Sequence, residues 1–525
     1  MRVFVLLGCL CLLVHCGKET IVVVPDCTPP SDSSMADVQH DATPDAEPDV
    51  TADAEPETTS DAEPDTTPDA EPDTTPDAEP DVQSDATPDA EPDTTPDAEP
   101  DVQSDATPDA EPDATPDAEP DVQSDATPDA EPDAQADVQA DSQGSTPTAK
   151  RSIGYFPAWS IYARNYHVMD IPADKLTHIN YAFANISPSG ECVLGDPWAD
   201  VDKTYPGDTW DQPLAGNFYQ LLLLKEQHPH LKTLISIGGW TWSGNFSAVA
   251  MTEASRQQFV SSCLMFVTDY GFDGIDVDWE YPVGGGLNPG VPADKENYTL
   301  LMAEFRNQLN ALTESTGKDY LLTIAAPAGP TTLENLEVVE LAVILDWINL
   351  MTYDFHGGWD SKTNFNAALY PTTDDPAGGA AGRTLHEAVQ TYLSLGVPSE
   401  KIVVGTAFYG RGWGGVPTTN NGLYQTASGT VPPGTWEAGV FDYSDLKANY
   451  VGQGDWVRSF HAEALVPWIY SASQQVFISY DDQESVQAKI DYVNEHQLGG
   501  MMNWELSADR DADLLNLMHS GLALP

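Results

Sequence analysis

The chain has 525 residues and a formal net charge of −63 at pH 7. Such acidity excludes nucleic acid and anionic membrane surfaces as partners, because both would repel it. The charge is unevenly spread: residues 28–149 hold 38 of the 84 acids and contain no Lys, Arg, Phe, Trp or Tyr.

Residues 1–16 read as an export signal. Arg2 gives a minimal positive start, and Val3 to Val14 is an apolar run too short to span a bilayer as a helix. Leu13-Val14-His15-Cys16 resembles a bacterial lipobox, which implies lipidation of Cys16 and a cell-surface lipoprotein held to the membrane only through that anchor. His15 departs from the small residue the pattern prefers. The alternative is an ordinary signal cut nearby, leaving a secreted protein. Beyond the signal stand Cys27, Cys192 and Cys263. Their spacing shows no disulfide framework or metal site, and Cys263, in a helical pattern with Phe259 and Phe266, reads as a buried thiol.

Residues 17–149 read as a linker. From Thr67 to Ala126 a 20-residue unit close to TPDAEPDTTPDAEPDVQSDA repeats three times. The units offer nothing apolar to bury, so stacking them would build no core. Frequent Pro and uncompensated acids favour a semi-extended, disordered stalk. A calcium-binding repeat is the rival reading, but calcium loops need Gly at the tight turn, and Gly is absent from residues 28–143.

Residues 150–525 change character. Apolar strand-like runs occur at 153–159, 176–184, 232–240, 272–280, 320–328, 347–355, 401–410 and 499–507. Amphipathic helical stretches lie between several of them, such as Lys295 to Leu312, Leu385 to Leu395 and Ser485 to Glu495. Eight strands, most followed by a helix, predict an α/β fold of the (β/α)8 barrel type. Polar and aromatic residues collect at the C-terminal ends of these runs, the active-site face of such a barrel. Residues 413–477 interrupt the pattern before the last strand, with short strand-like runs at 439–443 and 476–480, and predict a small α+β insertion domain.

The fourth run carries the chemistry. In Asp273-Gly274-Ile275-Asp276-Val277-Asp278-Trp279-Glu280, strand alternation puts Asp276, Asp278 and Glu280 on one face. Asp273 has the wrong parity and falls at the strand entrance. Three carboxyls this close cannot all ionise, so at least one pKa is driven up and a general acid is available at neutral pH.

Asp-x-x-Asp-x-Asp-x-Glu resembles the signature of glycoside hydrolase family 18, the chitinase family, and the resemblance extends over about residues 152–516. It implies a retaining mechanism in which the substrate's acetamido oxygen replaces a protein nucleophile. It implies Glu280 as acid and then base, Asp278 as the partner of the acetamido N–H, and Asp276 as the group sharing a proton with Asp278. Tyr353 and Asp354, in Met-Thr-Tyr-Asp, match a family motif whose tyrosine binds the acetamido oxygen. Trp504 matches the floor under the reacting sugar, and Trp240 and Trp359 match aromatic positions of the product side. Ser236, Tyr281, Tyr155, Tyr409 and Arg411 are carried over as further substrate-binding positions. The insertion resembles the groove wall of one chitinase subfamily. The implied protein is a monomeric chitinase acting on chitin and N-acetylglucosamine oligomers, without metal or cofactor. An endo-β-N-acetylglucosaminidase shares the acid motif, but the insertion favours a deep chitin groove. A chitin-binding lectin on the same fold usually lacks the Glu, which is present here.

Overall fold

A computed structural model of the chain describes residues 149–376, 383–522 and 524. The expectations for the signal, for Cys16 and for the acidic repeats fall outside these residues.

The described part begins with β1 (Arg151–Pro157) and β2 (His178–Ile186), followed by the short β3 (Cys192–Leu194). Next come β4 (Lys232–Gly238), β5 (Gly274–Asp278), β6 (Leu321–Pro327), β7 (Trp347–Met351) and β8 (Ile402–Ala407). After β9 (Tyr409–Trp413), β10 (Val440–Asp442), β11 (Trp456–His461), β12 (Val466–Ser471) and β13 (Val476–Ser479), the chain returns to β14 (Gly500–Trp504). The parallel sheet runs β1-β14-β8-β7-β6-β5-β4-β2, and β1 also pairs with β2, which closes it into an eight-stranded barrel. β3 folds back antiparallel on the edge of β2.

Helices pack outside the barrel. Glu253–Tyr270 starts at a Thr252–Ser255 capping box and stops at Gly271, whose φ of 74° is left-handed. Asp294–Thr316 follows β5, and Leu385–Ser394 and Gln483–Glu495 precede β8 and β14. The main apolar core lies between strands and helices, and a smaller one fills the barrel with Ile153, Tyr155, Ala182, Leu234, Trp347, Val403 and Met502. A second sheet, in the order β10-β9-β13-β12-β11, is antiparallel throughout. It is built over Trp413, Val416, Trp468, Tyr470 and Phe477.

The expectation for Cys263 is corrected. Cys192 and Cys263 form a disulfide, with Cα atoms 5.1 Å apart and a sequence separation of 71. The hairpin that ends in β3 lays Cys192 against the helix Glu253–Tyr270. That long-range contact has no local signature in the sequence.

Candidate active site

The register of three strands places the first acid. Ser236 of β4 stands opposite Asp276 of β5, which stands opposite Thr323 of β6. Gly274 at the start of β5 permits this close pairing, since a Cβ there would lie 2.3 Å from the Leu321 carbonyl oxygen. Asp273 sits at the strand entrance, accepting from Lys225 Nζ at 2.8 Å and from the Thr233 N–H at 2.9 Å.

Asp276 is fully buried. Its Oδ2 accepts from Tyr155 Oη at 2.7 Å and Ser236 Oγ at 2.9 Å. Its Oδ1 accepts from Thr323 Oγ1 at 2.5 Å and Asn349 Nδ2 at 3.2 Å. The resemblance pairs Asp276 with Asp278 through a shared proton, but none of these four donors is Asp278. Burial raises the pKa of Asp276, and the four donors hold the rise back.

Asp278 is buried one turn of the pleat higher, and its Oδ1 has no hydrogen-bond partner. Burial, the Glu280 charge and the Asp276 charge all push its pKa well above the usual carboxylate range. β5 ends at Asp278, so Glu280 stands just past the strand and is half-buried at the barrel mouth. Its backbone N–H donates to Ser243 Oγ at 2.9 Å. Burial pushes the Glu280 carboxyl up to about 7, the Tyr281 hydroxyl beside it works against the rise, and the Asp354 charge adds to it. The other face of the segment is core: Trp279 stacks on Phe246 with ring centroids 5.2 Å apart.

Tyr353 and Asp354 follow the end of β7. Gly405 leaves room for the Tyr353 ring, since a Cβ there would meet Tyr353 Cε1 at 2.6 Å. The Tyr353 hydroxyl meets Met502 Sδ at 3.7 Å. Burial raises its pKa well above the usual tyrosine value, and negative charge on Tyr409, Asp278, Asp354 and Glu280 adds to the rise. Asp354 is occupied otherwise. Its Oδ1 accepts from Tyr409 Oη at 2.7 Å and Arg411 Nε at 2.8 Å, and its Oδ2 from Arg411 Nη2 at 2.6 Å. Asp354 is thus the anchor that fixes Tyr409 and Arg411.

Aromatic rings floor the mouth. Trp504, at the end of β14, lies 5.7 Å from Phe183 in a stacked arrangement, 5.5 Å from Tyr155 and 6.3 Å from Trp159. Trp240 and Trp359 are 50% and 59% exposed. Exposure at that level makes them poor core residues and leaves their faces free, although the Arg411 guanidinium lies 5.1 Å from the Trp359 ring. Among the described residues no group of three or more His, Cys, Asp or Glu side chains is placed to hold a metal ion.

The family model for glycosyl hydrolases family 18 matches residues 151–509. The chain belongs to this family. It is 48% identical over 408 residues to chitinase A1 of Niallia circulans, an alignment covering 70% of this chain and 58% of that protein. It is 40% identical over 382 residues to endochitinase 1 of Metarhizium robertsii, covering 70% of this chain and 85% of the relative. The solved structure of chitinase ChiA74 from Bacillus thuringiensis superposes with a TM-score of 0.68 at 42% identity, covering 71% of this chain and 70% of that one.

Beside the family 18 acids stand residues that the sequence reading did not single out. Thr323 and Asn349 touch Asp276, Ser243 touches the backbone of Glu280, and Phe183 and Trp159 pack against Trp504. Two of them left a signal. Thr323 and Asn349 are polar residues at inward-facing positions of otherwise apolar strand runs, where burial without a partner is costly.

Proposed function

We propose that the chain is a chitinase, hydrolysing β-1,4 bonds between N-acetylglucosamine units with retention of configuration and with the substrate's own acetamido group as nucleophile. The observation that carries the reading is Glu280: a half-buried carboxyl at the barrel mouth, held up to about 7 beside a buried Asp278. Such a group still carries its proton near neutral pH, as a general acid must. Family membership and the relatives named chitinase support the substrate class.

In this reading the Glu280 carboxylic acid donates its proton to the glycosidic oxygen as the C1–O bond breaks. The acetamido oxygen bonds to C1 and forms an oxazolinium ion. Asp278 accepts a hydrogen bond from the acetamido N–H, the Glu280 carboxylate left by proton transfer offsets the cation, and Tyr353 holds the acetamido oxygen in line. Water then attacks C1, the Glu280 carboxylate takes its proton, and two inversions leave the β anomer. Trp504 stacks under the sugar's apolar face. Trp240 and Trp359 extend that surface.

The first residues of the chain support export, with Cys16 as a lipid anchor and the acidic repeats as a spacer.

The test is turnover of N-acetylglucosamine oligomers by wild type and Glu280→Gln. The variant should bind oligomers with near wild-type affinity and lose at least ~10²–10⁴ in turnover, and fresh wild-type product should be the β anomer by NMR. Activity above a tenth of wild type in the variant, or mainly α product, rejects the reading.

A further inference from the structure

Asp276 receives two donors on each oxygen, which fills roughly the four lone-pair positions of a carboxylate. Three of the donors are the hydroxyls of Tyr155, Ser236 and Thr323. A hydroxyl rotates, so it can accept as readily as it donates. If Asp276 carried a proton, any of the three could turn and receive it.

Asn349 lacks that freedom. A side-chain amide shows a neighbour either its oxygen or its nitrogen, and its other contacts decide which. The Trp347 indole N–H can only donate, and it meets Asn349 Oδ1 at 3.0 Å. The amide nitrogen must therefore face Asp276 Oδ1, at 3.2 Å. Trp347 and Asn349 are two residues apart on β7, so both side chains point into the barrel, and both are buried. The Trp347 ring is itself held, with the Arg151 guanidinium 4.7 Å from its centroid and the His178 ring 4.7 Å away edge-on.

We propose that Asn349, oriented by Trp347, is a positioning residue that keeps Asp276 an anion, so that the proton of the acid trio stays on Asp278 and Glu280. The proposal rests on the reading of this trio as the catalytic acids. The titratable groups electrostatically coupled to Asp276 are Tyr155 from β1, which also donates to it, Tyr298 from the helix Asp294–Thr316, and Asp278 from its own strand. Burial keeps both tyrosines in their neutral form, so Asp278 is the group among these that trades a proton with Asp276. The hydrogen bonds are divided to match. Asp276 has four donors, while Asp278 Oδ1 has none, and an ionised carboxylate oxygen buried without a donor is costly. The sharing is asymmetric, and Asn349 sets its direction. A fixed anion at Asp276 leaves Asp278 protonated and free to turn towards the acetamido group without leaving a second charge behind.

Two variants separate this role from simple packing. Asn349→Leu removes the donor. Trp347→Phe never touches Asp276; it removes the indole N–H that orients the amide, together with part of the ring volume. The Asp276 carboxyl is followed by ¹³C NMR in protein labelled at the aspartate carboxyl carbons, its signal assigned by its loss in Asp276→Asn. Its titration midpoint should move up by about one pH unit or more in Asn349→Leu, and in the same direction by less in Trp347→Phe. The acidic limb of kcat/KM on N-acetylglucosamine oligomers should move up with it. Thr323→Ser, which keeps a donor, should leave the midpoint in place. If Asn349→Leu does not fold, Trp347→Phe decides. An unmoved or lowered midpoint in folded Trp347→Phe or Asn349→Leu overturns the proposal, whatever happens to kcat. Failure of wild type to cleave the oligomers would instead reject the chitinase reading, and the NMR titration would still decide the role of Asn349.

Discussion

Ser243 ties Glu280 to the strand that carries the other two acids. Its Oγ accepts from the Glu280 N–H at 2.9 Å, and its single proton is shared between the Gly239 carbonyl at 2.9 Å and the Asp278 carbonyl at 3.2 Å. Glu280 lies past the end of β5, where no ladder holds it, so this hydroxyl takes over the task. Ser243→Ala should therefore misplace the acid without removing it. The expected result is a roughly 10- to 100-fold loss in kcat with KM for oligomers near wild type, read by steady-state kinetics. A kcat within twofold of wild type would mean that the loop holds Glu280 without Ser243.

Asp354 reaches the chemistry through charge. Its carboxylate is spent on Tyr409 and both nitrogens of the Arg411 fork, yet its charge contributes to the raised pKa of Glu280. Asp354→Asn removes one negative charge and leaves Arg411 positive and unpaired, and both changes favour ionised Glu280. The basic limb of kcat/KM should move to lower pH. Arg411→Met should move it to higher pH, because the Asp354 charge is then uncompensated. Opposite shifts in the two pH–rate profiles are the expected outcome; shifts in the same direction would refute the electrostatic link. Arg411→Lys should not restore wild-type rates, since a point charge cannot reproduce the two-pronged contact.

The barrel and the acid face were legible because both rest on short-range periodicity. Asp276, Asp278 and Trp279 sit on the faces that strand alternation assigns them, and Asp273 falls at the strand entrance. What the sequence could not show is which strand lies next to which at a given height. Ser236, Asp276 and Thr323 meet only because of the registers β4–β5 and β5–β6, and Asn349 reaches Asp276 from a strand two places away. The ionic anchor of Asp354 and the Cys192–Cys263 bond likewise join residues far apart in sequence. Strand alternation also carried Glu280 one step too far, since the strand stops at Asp278 and Ser243, from the short 3-10 helix Ser243–Asn245 after β4, takes over.

The Cys192–Cys263 bond fastens the hairpin after β2 to the helix Glu253–Tyr270. Closing a loop of 71 residues removes much conformational freedom from the unfolded chain. The double variant Cys192→Ser/Cys263→Ser should be less stable by about 2–4 kcal/mol, measured by denaturant unfolding. Neither cysteine is among the contacts of Asp276, Asp278 or Glu280, so kcat on soluble oligomers should hold at temperatures where the variant is folded. Loss of kcat in the folded variant would show that the hairpin shapes the site.

Asp200 offers a test of burial on stability. It is fully buried, and burial pushes its carboxyl up to about 7 against the opposing hydrogen bonds from Tyr181 Oη, at 2.5 Å, and the Asp196 N–H, at 3.0 Å. An unfolded aspartate titrates near ~3.9. Between those two values the folded state binds more protons than the unfolded one, so the contribution of Asp200 falls as pH rises through this window and is level above about 7. His178 acts in the opposite sense. Burial lowers it to about 3, so its contribution is lost as pH falls below its ordinary range. The Tm of wild type alone therefore mixes both effects. The difference in Tm between wild type and Asp200→Asn isolates Asp200, because His178 is common to both. That difference should become less favourable to wild type between about pH 4 and 7 by an amount on the order of a few kcal/mol in stability, and stay constant from there to pH 9. A difference independent of pH across that window would mean that Asp200 stays ionised in the fold, with Tyr181 and the Asp196 N–H outweighing its burial.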